Sequence, residues 1–361
     1  MKLQLEARTQ PSRVMTTVSP LIAIGLTVVV GGIVFAARGL DPLHALYVYF
    51  VEPVTTMWSI EELIVKAAPL VLIGVGLAVC FRANLWNIGA EGQFTAGAIA
   101  GGAIPVMAPD LGPWISLPLM LALGMLGGMA WAAVPAFLRN RFGTNEILTS
   151  LMLVYVAQYL LDWLVRGPWR DPHGYNFPKT VAFQDWHLLP TLGFGRVHLG
   201  ALLAVIAVVV LFVLMSRTLK GFEVRVSGDA PRAGGFGGFS RPRTVWFCFG
   251  LAGALAGLAG ICEAAGPIGQ LQPHISPGYG FTAIIVAFLG RLNPIGVLLA
   301  GIVLAISYLG GEAVQVELGI SDKTAKVFQG VLLFFILACD TLIRYRVRWV
   351  GAKAAAQGVK G

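Results

Sequence analysis

The sequence predicts an all-α polytopic membrane protein, with about ten transmembrane helices in two inverted five-helix repeats whose broken helices meet near the bilayer midplane. Three observations lead there. Hydrophobic residues make up 57% of the 361 positions and charged residues only 12%, with a mean hydropathy of +0.76, outside the range of soluble domains. Apolar runs of membrane-spanning length recur between short polar connections. An apolar run, a polar break and a small-residue run also occur twice in that order.

The elements follow in order. Residues 1–17 carry Lys2, Arg8 and Arg13 and read as a cytoplasmic N-terminus. The next run, 18–37, is long enough to span, and Arg38-Gly39 is a poor cleavage context, so it reads as a retained first span. Residues 41–62 form an acidic, aromatic external segment. Further spans are expected at 67–81, 94–107, 114–137, 147–165 and 197–215, with an external loop over 166–196. After a basic loop they resume at 245–262, 281–290, 295–310 and 324–340, followed by a cytoplasmic tail, 341–361. Lys and Arg concentrate on the side of the N-terminus and acids on the other, so the net charge of +8 fits the positive-inside rule rather than a nucleic-acid surface. The whole chain, 1–361, reads as one transmembrane domain.

Within it, 67–102 and 245–290 repeat the span–break–span order at an offset of five spans, hence in opposite orientations. Small residues at four-residue spacing (Ala252, Ala256 and Gly260; Gly253 and Gly257; Gly97 and Gly101) allow close helix packing. Static packing and sliding during gating both fit that spacing. The breaks hold the polar residues. Asn84, Asn87 and Glu91 would share one face if their segment were helical, with Gln93 nearby, and Glu263, Gln270 and Gln272 occupy the matching place. Carboxylates inside a bilayer cost at least about 2.5–3.5 kcal/mol and face a cavity or a partner. They either line a solute route or satisfy backbone groups freed where a helix breaks.

The connection 216–244 holds the longest polar, basic stretch between two spans. Gly221-Phe222 opens it, Arg225 and Gly228 follow, and Asp229-Ala230-Pro231 reads as a helix start. Arg232 to Phe239 contains four glycines, each costing roughly 1 kcal/mol in a helix, so this turn should be poorly formed alone. Phe222, Phe236 and Phe239 are aromatics that a partner could bury, or the loop simply tethers two spans.

Absences narrow the chemistry. The sequence has no G-x-x-x-x-G-K-[ST], H-E-x-x-H or G-x-S-x-G motif. Its four cysteines lie in apolar segments without C-x-x-C spacing and read as buried thiols. Four of the five histidines fall in external loops, where solvation is the usual state. The spans lack the buried acid–base chain of a proton pump. What remains is a solute pathway with no energy source of its own, and no cofactor or metal.

The run F-R-A-N-L-W-N-I-G-A-E-G-Q-F at 81–94 resembles the signature of nucleoside-type permease subunits of ATP-binding-cassette importers, within the superfamily of ribose and branched-chain amino-acid permeases. G-T-N-E-I at 143–147, the 221–239 loop, G-A-L-A-G-L-A-G at 253–260 and G-Y-G-F-T-A at 278–283 match the same family in order. The resemblance implies an inner-membrane bundle and ATP hydrolysis by partner ATPase subunits. It also implies a second, often non-identical permease and a periplasmic or lipid-anchored binding protein. It makes 221–239 the coupling segment, with Gly221, Phe222, Arg225, Gly228, Arg232, Phe236 and Phe239 at the ATPase. The extra glycines at 234–238 depart from the family's loop. Nucleosides are the implied solutes, with sugars next. An ATPase-independent carrier or channel is the rival reading; a membrane transferase acting on lipid-linked sugars would need a catalytic spacing that 166–196 lacks.

Overall fold

The computed structural model describes residues 2–7, 13–193, 195–321 and 323–350. The expected tail beyond residue 350 and the N-terminal stretch 8–12 lie outside them. The chain divides into two compact units, Met1–Glu52 with Gly310–Gly361, and Pro53–Leu309.

In the first unit, α1 (Arg13–Ala37) is followed by α2 (Pro42–Phe50), which starts on Asp41: its carboxylate accepts from the Leu43 N–H, and Pro42 occupies the first turn. This short helix opens the acidic, aromatic segment 41–62. A core of Phe35, Ala45, Val48, Tyr49, Val314 and Phe328 closes the unit, with Tyr49 stacked on Phe328 at 4.5 Å between centroids. The all-helical expectation fails at the ends, where β1 (Lys2–Ala7) pairs antiparallel with β2 (Tyr345–Val350), Lys2 opposite Val350 and Ala7 opposite Tyr345. Both segments alternate polar and apolar residues, which is the strand period.

The second unit is built around α3 (Met57–Arg82) and α10 (Arg241–Glu263). Within their apolar windows 89% and 78% of residues are buried, against 22–28% in α5 (Pro113–Phe142), α6 (Glu146–Arg166) and α7 (Leu199–Arg217). The first two are therefore the core, and the other three carry wide apolar faces outward. Helix α3 starts ten residues before the expected span, because the Thr56 hydroxyl caps it by accepting from Ser59 N–H. Between these lie α4 (Ala90–Met107), α8 (Leu219–Asp229), α9 (Pro231–Phe236) and α11 (Tyr279–Leu289). Helix α12 (Pro294–Leu318) begins in this unit, with Val297 on Gly74 and Gly301 on Val71. α13 (Lys323–Arg344) belongs to the first unit.

Glycines weld the core. A Cβ on Gly97 would overlap the Gly257 backbone, one on Gly257 the Gly124 carbonyl, and one on Gly260 the Phe94 carbonyl. Backbones of α4, α5 and α10 thus approach to a distance that only small residues permit. Among the described residues, seven helices are long and apolar enough to cross a membrane.

Candidate functional site

The first break follows α3. Asn84 adopts a left-handed backbone, φ 54°, and the chain runs without helix until α4. Because it is not helical, Asn84, Asn87 and Glu91 do not share the face that the spacing allowed. Asn84 turns to a shallow cavity shared with Arg139, Asn145, Glu146 and Arg241, where its carbonyl oxygen accepts from Trp86 Nε1 at 3.2 Å. Asn87 is fully buried. Its Oδ1 accepts from Gly89 N–H (3.1 Å) and from Gln93 Nε2 (3.0 Å), while its Nδ2 donates to Gln93 Oε1 (3.0 Å). Helix α6 satisfies the rest of the break: Ile88 N–H donates to Ser150 Oγ, and Trp86 N–H to Glu146 Oε1. Glu146 is itself paired with Arg139. Gly89 must be glycine, since a Cβ would sit 2.8 Å from Ser150.

The second break follows α10. Its helix widens into a π-turn over Ala264–Ile268, which ends on Gly269 with φ 70°, and the chain stays irregular until Gly278, φ 108°. Glu263 is buried and hydrogen-bonded by Tyr279. Gln270 and Gln272 are half-buried, and Gln272 Nε2 donates to the His274 carbonyl at 3.3 Å. The freed backbone groups are taken by the 166–196 loop. Thr180 N–H donates to Leu271 O, Phe183 N–H to Gly269 O and Leu189 N–H to Ala265 O, at 2.8–3.0 Å. Leu271 N–H returns to Thr180 Oγ1.

A hydrogen bond links the two breaks. Gly280 N–H, in the first turn of α11, donates to Glu91 Oε2 at 2.6 Å, which places a carboxylate at a helix N-terminus. Beside it opens a cavity of about 490 Å³, lined by Glu91 and Thr95 of α4, by Tyr155, Gln158, Tyr159, Leu161 and Asp162 of α6, and by residues 273–276. That volume is ordinary for a small-molecule site. Its polar groups are carboxylates, an amide, hydroxyls and an imidazole, with two tyrosine rings. They can hydrogen-bond and stack on a neutral polar solute. Of the break residues singled out by sequence, Glu91 alone lines this cavity. Sequence reasoning missed the α6 residues, although Tyr155, Tyr159 and Asp162 fall at i, i+4 and i+7 within an apolar run, a legible polar stripe.

The basic loop is better ordered than its glycines predicted. Thr218 caps α8 by accepting from Gly221 N–H at 3.2 Å, and α9 forms with Pro231 in its first turn and turns off at Gly238, φ 82°. Gly221 lies against the Leu214 carbonyl and Gly228 against the Arg82 carbonyl, so both are packing positions. Phe222 and Phe239 meet edge to face at 5.9 Å; Phe239 is half-buried rather than exposed. Phe236 stands out at 95% exposure, next to exposed Arg232. Arg225 turns back, its Nε donating to Gly221 O. Burial pushes the Glu223 carboxyl up, but hydrogen bonds from Lys220 and Thr244 and the nearby Lys220 and Arg243 charges outweigh it and hold it below its usual range.

His187, expected to be solvated in the external loop, is buried because the loop folds onto the second break, and His198, at the start of the following span, is buried as well. His198 Nδ1 accepts from Gly200 N–H at the start of α7. Burial, and then the Arg196 charge, push its pKa down to about 4. All four cysteines are free and buried.

The profile of the family described as "Branched-chain amino acid transport system / permease component" matches residues 59–337. The chain is 38% identical to the glucose ABC transporter permease protein TsgB13 of Haloferax volcanii, over 96% of this chain and 93% of that one. It is 28% identical to the nucleoside ABC transporter permease protein NupB of Lactococcus lactis, over 88% and 89%. With the guanosine ABC transporter permease protein NupP of Bacillus subtilis it shares 27% identity over 94% and 97%. No solved structure matches. The chain therefore belongs to this permease family and is a permease subunit of an ATP-binding-cassette transporter.

Proposed function

We propose that this subunit imports a small polyhydroxylated solute, a hexose or a nucleoside, across a bacterial cytoplasmic membrane, driven by ATP hydrolysis on a separate ATPase. The observation that carries the reading is the cavity at the junction of the two breaks, where Tyr155 and Tyr159 offer ring faces and Gln158, Asp162 and Glu91 offer polar groups. Glucose and the nucleosides in the relatives' names share a ring bearing adjacent hydroxyls, which such groups bind in common. Asn87 and Gln93 fasten the first break, Glu91 joins the breaks and borders the solute, and Glu263, Gln270 and Gln272 shape the second.

Ten spans in two inverted five-helix repeats are supported by adding α4, α11 and α13 to the seven long apolar helices. The like placement of α3 with its break and α10 with its break supports the repeat. Pairing of β1 with β2 supports both termini lying on one side, the cytoplasm. The 216–244 loop, with Phe236 exposed on α9, meets the ATPase; Arg232 and the Phe222–Phe239 pair border that contact. Arg225, Gly221 and Gly228 act by holding α8 in place. A second, non-identical permease completes the pore, and a periplasmic or lipid-anchored binding protein delivers the solute.

The test is uptake into proteoliposomes holding the whole transporter, with a labelled hexose and a labelled purine nucleoside offered in turn. Tyr159→Ala should raise the KM of the transported solute roughly tenfold, the scale of one lost stacking contact, and leave insertion unchanged. Phe236→Ala should uncouple ATP hydrolysis from uptake. Wild-type uptake in both variants, or uptake without an ATPase, would sink the reading.

A further inference from the structure

At the end of the second unit that carries α8, the ends of α3 and α7 and the start of α12 enclose a second cavity of about 220 Å³. Three arginines line it, Arg82, Arg225 and Arg291, together with Phe212, Met215, Ser216 and the turn 292–294, and no acidic side chain is among the lining residues. Of the two carboxylates on α8, Glu223 is engaged by Lys220 and Thr244, and Asp229, four residues after Arg225, is exposed. The turn is strained: Arg291 and Leu292 are consecutive non-glycine residues with φ 57° and 53°, a conformation that costs roughly 1–2 kcal/mol per residue and collects at functional positions. Two exposed apolar stripes run away from this cavity. On α7 they are Val205, Val209 and Phe212; on α12, Ile295, Leu299 and Ile302. Each set falls at i, i+4 and i+7, on one helix face.

We propose that this cavity binds the phosphate headgroup of one anionic phospholipid, with its acyl chains lying along the α7 and α12 stripes. The three guanidinium groups supply the charge complement, since basic pockets between transmembrane helices take anionic headgroups. Planar donors of this kind match phosphate oxygens in pairs. The apolar stripes select a lipid over a soluble phosphate ester. Because Arg225 lies on α8, which leads directly into α9, a bound headgroup would hold the loop in register with the membrane surface.

The experiment is native mass spectrometry of the purified full chain with phosphatidylglycerol or phosphatidylcholine. One phosphatidylglycerol per chain should bind, in preference to phosphatidylcholine. R82Q/R291Q should bind it roughly thirtyfold more weakly, on the scale of two lost headgroup charges, and R82K/R291K should retain it. Inorganic phosphate at millimolar concentration should not displace it. Equal binding of both lipids, wild-type binding by R82Q/R291Q, or displacement by phosphate would overturn the proposal, the last by assigning the pocket to a soluble anion. A photoactivatable phosphatidylglycerol on the wild-type chain is the check independent of variant folding. Adducts should fall within 205–216 or 291–302, and adducts confined to other segments would also overturn it.

Discussion

After α3 the break is closed by buried side chains, its own and those of the helix packed on it: Asn87 and Gln93 bond each other, Asn87 holds Gly89 N–H, and Ser150 of α6 takes Ile88 N–H. After α10 the corresponding break stays half open. Gln270 and Gln272 reach solvent, and the freed carbonyls of Ala265, Gly269 and Leu271 are taken by a loop about 80 residues earlier in the chain. Both solve the same problem, unpaired backbone in a low-dielectric surround, with different stiffness. A fastening made of buried side chains cannot loosen without exposing polar atoms. A fastening lent by a surface loop can, so the second break is the side where movement is inexpensive.

The largest effect belongs at the hydrogen bond from Gly280 to Glu91 that links them. A Cβ on Gly280 would land on the backbone nitrogen and Cα of Glu91, and backbone cannot rotate away as a side chain can. Gly280→Ala should therefore separate the breaks, costing about 3 kcal/mol or more from overpacking. It should also abolish uptake. Thermal unfolding followed by size-exclusion recovery measures it. A variant as stable as wild type would show that the two breaks are not rigidly joined.

Next in size is the contrast between the fastenings. Asn87→Ala leaves Gly89 N–H and the Gln93 amide buried without their partner, at about 1–3 kcal/mol for each such group. The same change at Gln272 removes one 3.3 Å bond near solvent and should stay within about 0.5 kcal/mol, as surface substitutions do. Unfolding midpoints of the two variants, compared in one detergent, decide the point. Equal losses would erase the difference in stiffness.

Much of this architecture was legible in the sequence. Apolar length located the long helices, and the glycine spacing marked the α4 and α10 sides of the weld, though not Gly124 of α5, because both depend on local pattern. Polar interruptions located both breaks. What could not be read was direction and partner. Whether Asn84 turns with Asn87 or against it depends on one left-handed residue. Glu91 meets Gly280 across 189 positions. The α6 stripe was legible as a pattern, yet only folding sets it beside Glu91. His187 defied expectation for the same reason: external loops are usually wet, and this one is folded down to supply hydrogen bonds.

The smallest effect follows from that folded loop and tests the second break alone. His198 is buried with its Nε2 directed at the π-turn; a Cβ on Gly266 would lie 2.9 Å from it. Its folded pKa of about 4 lies below the ordinary 6.5. Between those values the unfolded chain binds a proton that the folded chain refuses. The histidine's penalty is thus absent above about pH 6.5 and grows as pH falls toward 4, reaching about 2 kcal/mol at pH 5. His198→Asn removes the titration and keeps an oxygen to accept from Gly200 N–H, since asparagine is a good N-cap. The fall in unfolding midpoint between pH 7.5 and pH 5 should therefore be smaller in His198→Asn than in wild type. Parallel falls would mean that His198 does not stay neutral in the fold. A proton there acts on the π-turn, so hydrogen exchange at pH 5 should rise over 264–272 before it rises over 84–93.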